Sequence, residues 1–232
     1  MIQPIPIPAA RTLRLIYRDD FLVAVSKPSG LMVHRSRESN DRVFLLQLLR
    51  DHLEAHVYPV HRLDRATSGV MVFALSPPDA AAIQARLECD AVKEYLTLAR
   101  GETPEVFASN RELTSDAGVK QTARTEFERI ATFHGCSLLR ARLHSGRRHQ
   151  IRRHLAHLAH QVIGDTSYGK GRINRALREQ YGLPRLFLHS CRLTLRHPRH
   201  DGWLQFQDPL PDDLREFLVR LPDFDPAILD RL

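Results

Sequence analysis

Cysteine is scarce in this chain, and the three that occur, Cys89, Cys136 and Cys191, are widely separated and form no CxxC pair. Such a scattered, odd-numbered set is not typical of a disulfide framework or a cysteine zinc site. No apolar run approaches the roughly 20 residues that a membrane-spanning helix needs. The first residues also lack the basic-then-apolar order of a signal peptide. We therefore predict a cytoplasmic protein with no membrane partner, and we interpret residues 1–11 as a flexible N-terminal tail.

Lysine is also rare: only four of the 34 lysines and arginines are lysine, which leaves 30 arginines. The formal net charge is +7 and the sequence pI is about 9.8. Arginine presents a planar fork of donors that suits phosphate, and it can stack on bases. This composition favours a polyanionic partner, most simply a nucleic acid. Genomic base composition is an alternative explanation for the preference of arginine over lysine.

The 232 residues, 43% of them hydrophobic, fit one domain with a buried core. The apolar run 69–75 predicts a buried strand, and the spacing of apolar residues over 43–53 predicts a helix capped at Asn40 or Asp41. Along the chain, hairpin-like neighbouring strands outnumber clean βαβ units. This pattern predicts an α+β protein with a mixed, mainly antiparallel sheet flanked by helices.

A further helix is predicted over 149–160, where apolar residues recur at helical spacing. Ile151, Leu155 and Leu158 form that stripe, and we expect all three to face the core. Five residues lie off that stripe: His149, Arg152, Arg153, His157 and His160.

The residues 61–69, HRLDRATSG, place one carboxylate, Asp64, on a loop between Arg62 and Arg65. An ionised aspartate on such a loop can act as a nucleophile or as a base. The alternative is a loop aspartate that forms local backbone hydrogen bonds beside solvated arginines. The residues alone leave both interpretations open.

The segment HRLDRATSG resembles the HRLDxxTSG motif of the RluA-type pseudouridine synthases at all seven fixed positions. The resemblance implies that Asp64 is the catalytic residue and that Arg62 helps to displace the target base. It also implies the pseudouridine synthase fold, with an RNA-binding cleft across the sheet. The similarity extends over roughly residues 13–207 and includes an opening K-P-x-G turn and a later segment, 160–169, similar to H-P-I-x-GD-x-x-Y-G.

Two more family motifs supply the other expected site residues. Lys93-Glu94-Tyr95 resembles K-x-Y, whose tyrosine stacks on the uracil, here Tyr95. The segment 146–152, GRRHQIR, resembles GRxHQIR, which implies that Arg152 forms an ion pair with Asp64 and that Ile151 packs beside the uracil. Further arginines near these motifs are expected to contact RNA: Arg65, Arg147, Arg148 and Arg153.

On this resemblance, residues 12–232 form one pseudouridine synthase catalytic domain without an S4 domain. The reaction isomerises a uridine, so neither a cofactor nor a metal is expected. The carboxylate attacks C1′ of the sugar or removes a sugar proton, and the sequence leaves both routes open, as it does the base that takes the C5 proton. Because a stacked uridine is inaccessible, the target nucleotide must be flipped out of its helix.

Residues 171–190 and 30–36 resemble the branch of the family that modifies the uridine at position 65 of tRNA. We therefore expect tRNA as the substrate, with ribosomal RNA as the alternative, and a monomeric enzyme.

Three other functions are weighed against this one. A non-catalytic RNA-binding protein needs the basic surface but not Asp64. A metal site is conceivable because His154 and His157 lie three residues apart, but no nearby carboxylate completes a ligand set. A serine hydrolase is weaker, since Ser68 and Ser145 precede glycines but lie in no GxSxG motif.

Overall fold

The computed structural model describes residues 13–35 and 41–232. The predicted tail at residues 1–11 lies outside the described residues. The strands, in chain order, are β1 Arg14–Arg18, β2 Leu22–Lys27, β3 Tyr58–Pro59, β4 Ser68–Ala74, β5 Val92–Arg100, β6 Val106–Ser109, β7 Leu113–Thr114, β8 Lys120–Gln121, β9 Thr125–Phe133, β10 Cys136–Leu143, β11 Leu188–Arg196 and β12 Trp203–Gln207. The helices are α1 Leu45–Leu53, α2 Pro77–Cys89, α3 Gln150–His157, α4 Gly171–Tyr181 and α5 Asp212–Val219, and a 3₁₀ helix covers Pro226–Arg231.

A single sheet contains ten of these strands, and its main path runs β1-β2-β4-β11-β5-β10-β9-β6. In addition, β12 pairs with β11 and β3 pairs with β4, while β7 and β8 form a separate two-stranded sheet. Within the described residues, β4 and β11 are the one parallel pair of strands, and the other strand pairs are antiparallel. The predicted α+β class with a mixed, mainly antiparallel sheet is confirmed.

The central strands carry apolar side chains on both faces, because helices cover both sides of the sheet. On β5, Tyr95 belongs to the apolar cluster that includes α1 and α3, whereas Leu96 and Leu98 belong to the cluster that includes α4 and α5. This alternation follows from the two-residue period of a strand. It directs Tyr95 to the side of the sheet on which α3 lies.

Helix α1 begins differently from the prediction. Its N-cap is Phe44, whose side chain makes no capping hydrogen bond, so the predicted cap at Asp41 is wrong, and Asn40 lies outside the described residues. Backbone carbonyls replace the side-chain cap: the N–H groups of Leu45 and Leu46 donate to oxygens in residues 32–33 at 2.9 and 3.0 Å. The orphan donors at this helix start are therefore satisfied by the preceding chain segment.

Helix α3 is shorter than predicted and ends at His157. Ala159 adopts a left-handed conformation, with φ of 63°, and turns the chain away. Leu158 is consequently 40% exposed, so its predicted burial is wrong, whereas Ile151 and Leu155 are buried as predicted. Arg152 lies off the apolar stripe but is buried as well, because its guanidinium is paired with two carboxylates.

Gly69 explains why the HRLDRATSG segment ends in glycine. Its φ is +120°, and a Cβ built there lies 2.2 Å from the backbone oxygen of Ser190 on the parallel strand β11. No side chain fits between two backbones this close. The loop that carries Asp64 therefore enters the sheet at a position that only glycine can occupy.

We predict that Gly69→Ala lowers the free energy of unfolding by more than about 2 kcal/mol, because the new methyl group must separate β4 from β11. The matched control is Gly118→Ala, where φ is +79° but no atom lies within 4 Å of the added Cβ. Urea unfolding of both variants tests this, and equal losses of stability would contradict the close-contact explanation.

Candidate active site

The loop that carries Asp64 is fixed by the K-P-x-G turn between β2 and α1. Gly30 N–H donates to the Arg65 carbonyl at 2.8 Å, and the Ser29 hydroxyl donates to the Ala66 carbonyl at 2.7 Å. The buried ammonium of Lys27 donates to the same Arg65 carbonyl at 3.2 Å. Two motifs that are distant in sequence therefore form one rigid support.

His61, the first residue of the motif, has a structural function on the other side of the loop. Its Nε2 accepts a hydrogen bond of 3.0 Å from the backbone N–H of Val72 on β4. Burial lowers the pKa of His61 to about 4, and the charge of Lys93 acts in the same direction. The imidazole is therefore neutral and serves as an acceptor that holds the loop against the sheet.

Asp64 and Arg152 meet as predicted, with Nη1 of Arg152 donating to Oδ2 of Asp64 at 3.1 Å. The same guanidinium forms a bidentate pair with Asp165, Nε to Oδ2 at 2.7 Å and Nη2 to Oδ1 at 2.9 Å. The side chain of Asp165 is fully buried, whereas that of Asp64 is 19% exposed. One arginine on α3 therefore joins an internal carboxylate to an accessible one.

Two further side chains close a ring around Asp64. His149 Nε2 lies 3.6 Å from Asp64 Oδ2, and its Nδ1 lies 3.1 Å from the Tyr168 hydroxyl. The Arg152 guanidinium carbon lies over the Tyr168 ring, 5.2 Å from the ring centroid. The backbone N–H of Tyr168 donates to Asp165 Oδ1. His149 has a φ of 54°, a conformation that favours glycine, so the N-cap of α3 is held in an uncommon geometry at this site.

The electrostatics of this ring follow from burial and hydrogen bonding. Burial acts to raise the pKa of Asp165, but hydrogen bonds from Arg152 and from the Tyr168 N–H outweigh it, so that this pKa is lowered. Burial lowers the pKa of His149, although the charge of Asp64 opposes the shift. Asp165 is thus a permanent anion near neutral pH, and His149 is predominantly neutral.

Tyr95 extends from β5 toward Asp64 and is 9% exposed. Burial raises the pKa of its phenol to about 12; a hydrogen bond with Ser190 opposes this shift and the nearby charge of Asp64 adds to it. Tyr95 therefore presents a neutral ring. The cleft between these groups is lined by Arg62, Leu63, Asp64, Thr67, Tyr95, Leu143, Gly146, Arg147, His149, Gln150, Ile151, Arg152 and Leu188.

The structure brings together six of the predicted site residues at this cleft: Asp64, Tyr95, Arg152, Arg62, Arg147 and Ile151. It does not bring Arg65 there, because that side chain binds Asp41 and the Gly30 carbonyl. Arg148 forms an ion pair of 2.6 Å with Asp116. Arg153 donates to a backbone carbonyl of β7. Arg148, which precedes α3, and Arg153, which lies on α3, are both outside the lining of the cleft.

A wider groove continues from this cleft and shares Arg62, Tyr95 and Arg147 with it. The groove is also lined by Lys93 and His144. Arg62 is exposed and makes no hydrogen bond or ion pair within residues 13–35 and 41–232. The accessible face of Asp64 thus opens onto a surface that carries several basic groups.

The two alternative chemistries find little support in the geometry. His154 is buried, and its ring nitrogens lie 2.9 Å from Thr125 Oγ1 and 3.0 Å from the Arg111 carbonyl, which leaves no nitrogen for a metal. Ser68 is buried with its hydroxyl 2.9 Å from His189 Nδ1, so it presents no nucleophile to a substrate. Among the described residues, no group of three or more His, Cys, Asp or Glu side chains could hold a metal ion. Over the same ranges, no helix has both the length and the apolar character needed to cross a membrane.

Residues 21–157, more than half of the chain, match the RNA pseudouridylate synthase family, and the chain belongs to this family. Relatives named tRNA pseudouridine synthase C are similar over most of their length. The protein of that name from Pasteurella multocida is 39% identical, over 81% of this chain and 87% of its own. The one from Vibrio parahaemolyticus is 34% identical, over 90% and 94%.

Solved structures agree in fold. Human RNA Pseudouridylate Synthase Domain Containing 4 superposes with a TM-score of 0.73 at 23% identity and covers 89% of this chain and 92% of its own. Human RNA Pseudouridylate Synthase Domain Containing 1 gives a TM-score of 0.71 at 22% identity, with coverages of 90% and 89%. The predicted pseudouridine synthase fold is thereby confirmed.

Sequence reasoning missed three members of the ring: His149, Asp165 and Tyr168. Asp165 and Tyr168 lie in the segment 160–169, whose similarity to the GD-x-x-Y-G pattern was recognised without a role for either residue. His149 is the histidine of the segment GRRHQIR, and the resemblance assigns no role to it. The family pattern was the available signal, but it does not say which basic group an aspartate binds.

We predict that Tyr95 stays neutral at pH 10, where an ordinary phenol is about half ionised. The ultraviolet spectrum of the folded parent minus that of Tyr95→Phe should then show no tyrosinate at pH 10, and tyrosinate should appear only near pH 12. The same comparison in denaturant is the control, because the unfolded phenol ionises normally. A tyrosinate signal already present at pH 10 in the folded pair would contradict the burial argument.

Proposed function

We propose that this protein converts a specific uridine of tRNA to pseudouridine, with Asp64 as the catalytic carboxylate. The observation that carries the proposal is the arrangement of Asp64, held through Oδ2 by Arg152, at a cleft walled by Tyr95 and apolar side chains. Family membership supports the reaction, and the names of the curated relatives support tRNA as the substrate. RNA binding and a place in tRNA processing follow from it.

Asp64 has one free carboxylate oxygen. Within the described residues, Oδ2 faces Arg152 and His149, whereas no group donates a hydrogen bond to Oδ1. An oxygen without an internal donor is available to attack C1′ or to remove a sugar proton. Both routes break the N-glycosidic bond, and both return the carboxylate when C5 of the uracil bonds to C1′.

Tyr95 and Ile151 hold the uracil while it turns. A neutral, buried aromatic ring stacks on a base of any orientation, so it can retain the detached uracil during rotation. Ile151 and Leu143 add apolar walls that limit access of water. The reaction ends when the C5 proton has left and N1 has gained one.

Arg62 takes the place of the extruded nucleotide. It directly precedes Leu63 and Asp64 at the mouth of the cleft, is exposed, and has no internal partner among the described residues. A guanidinium can stack on the bases that remain in the RNA. The adjacent arginines contact phosphate on either side of the target: Arg65, Arg147, Arg148 and Arg153.

The proposed target within tRNA is the uridine at position 65. The segments 171–190 and 30–36, which resemble the branch of the family that modifies this position, support the assignment. The first of these segments includes α4, which lies beside the site, because Asn174 binds Gly164 N–H and the Asp165 carbonyl. Ten of the twelve strands in residues 13–35 and 41–232 belong to one sheet, which supports a single catalytic domain over 12–232. We also propose that the enzyme acts as a monomer in the cytoplasm and needs no cofactor.

Asp64→Asn is expected to reduce turnover by at least about three orders of magnitude, because the amide is neither a nucleophile nor a base. Turnover is measured as tritium released from tRNA that carries [5-³H]uridine, since the C5 hydrogen must leave. The control is Asp51→Asn on the exposed face of α1, which should retain full activity. An Asp64→Asn variant that binds tRNA and turns over at the parental rate would exclude the proposed role.

The substrate is tested by mapping pseudouridine in total tRNA and ribosomal RNA from cells with and without the gene. After carbodiimide labelling, the stop at tRNA position 65 should disappear in the deletion and return with the parental gene but not with Asp64→Asn. Loss of a stop in ribosomal RNA alone would favour the ribosomal alternative. An unchanged map in both RNAs would contradict the proposed function, and a simple mass measurement cannot replace this test because the two nucleosides are isomers.

A further inference from the structure

The guanidinium of Arg152 is divided unequally between two carboxylates. Asp165 takes two of its nitrogens, Nε and Nη2, at 2.7 and 2.9 Å, while Asp64 receives a single contact from Nη1 at 3.1 Å. A bidentate, fully buried pair is both stronger and more directional than a single exposed contact. The position of Arg152 is therefore determined mainly by Asp165.

Asp165 is in turn held by its own segment. Its Oδ1 accepts the N–H groups of Ser167 and Tyr168 at 2.8 and 3.0 Å. Its carbonyl accepts from Asn174 at 2.8 Å, and Gly169 lies so close that an added Cβ would meet that carbonyl at 2.1 Å. These contacts fix the carboxylate independently of Asp64.

We propose that Asp165 is a positioning residue: it retains two nitrogens of Arg152, Nε and Nη2, so that only Nη1 is directed at Asp64, and the second oxygen of Asp64 stays open to the substrate. This inference rests on the proposed function. Without the charge of Asp165, the planar fork of Arg152 can close on both oxygens of Asp64, which is the geometry that guanidinium and carboxylate prefer. The reacting oxygen would then be occupied.

The charged or titratable groups that face Asp64 include three besides Asp165. They are Arg152 on α3, His149 at the N-cap of α3, and Tyr95 on β5. Because Asp165 and Arg152 also act on the pKa of His149, the sharing of Arg152 is reported by the opposite directions that the acid limb takes in the two variants below, and not by a displacement in one of them alone.

The first test is Asp165→Asn, which retains the oxygen that accepts the Ser167 and Tyr168 N–H groups but removes the charge. We expect kcat for tritium release to fall about 10- to 100-fold, the usual cost of losing an outer-shell partner, with KM for tRNA changed less than about threefold. The acid limb of the kcat profile should move to lower pH, because a carboxylate that accepts two guanidinium donors is protonated only at lower pH. A loss of kcat with an unmoved acid limb would reduce Asp165 to a purely structural residue and overturn the proposal.

The second test is Arg152→Lys, which preserves the charge and serves even if Asp165→Asn fails to fold. Lysine is shorter than arginine and has no planar fork, and we expect its ammonium to remain with Asp165, whose side chain is fully buried and therefore needs the charge more than Asp64 does. Asp64 then loses its donor, and the acid limb should move to higher pH, opposite in direction to the first variant. An unmoved limb in this variant would mean that the cation follows Asp64, which overturns the proposal.

The matched control is Asp213→Asn. Asp213 forms the same kind of fork with Arg185, Nε to Oδ2 at 2.6 Å and Nη2 to Oδ1 at 3.0 Å, but it does not line the catalytic cleft. The kcat and the pH profile of the Asp213→Asn variant should equal those of the parent. If the parent itself releases no tritium from any RNA, the proposed function fails; if the parent is active and the acid limbs do not move, only the inference about Asp165 fails.

Discussion

The structure of this site depends on one shared cation, the guanidinium of Arg152, which joins α3 to the loop before β4 and to the segment before α4. Asp64 and Arg152 are 88 residues apart, and Asp165 follows 13 residues later. Burying a charged group is costly unless it is paired and hydrogen-bonded. The two carboxylates therefore stabilise the buried arginine, and the arginine prevents three separate chain segments from moving independently.

The rest of the fold supplies the rigidity that this arrangement needs. The K-P-x-G turn binds the Asp64 loop from one side, and the neutral His61 holds it from the other. Gly69 then lets β4 approach β11 closely enough to place the loop beside Tyr95 on β5. Each of these contacts involves the backbone, so the position of the loop depends little on side-chain flexibility.

Features that depend on a local pattern or motif could be predicted from the sequence, whereas features that depend on contacts between distant segments could not. Period and motif predicted the α+β class, the strand 69–75, and the joint placement of Asp64, Tyr95 and Arg152, the last through resemblance to a family. The predicted N-cap of α1 was wrong because the groups that cap this helix are backbone carbonyls of another segment, which no local sequence pattern indicates. The burial of Arg152 was missed for the same reason: its position on α3 looks polar until Asp165 is brought next to it. Side-chain type predicts a charge, but only the tertiary fold decides which partner that charge has.

The proposed reaction explains why apolar and charged side chains lie next to one another in this cleft. An isomerase has to keep both fragments after the glycosidic bond breaks, and a water molecule at C1′ would turn the reaction into hydrolysis. In the proposed reaction, the apolar side chains of Leu143, Ile151 and Leu188, which line the cleft, would exclude water near the cleaved bond, while the neutral Tyr95 would retain the uracil without offering a charge. An apolar environment that excludes water would normally disfavour the ionised carboxylate that the reaction needs. Arg152 donates to Asp64 from the protein side, and because two of its three nitrogens are used by Asp165, it supports the carboxylate without closing it to the substrate.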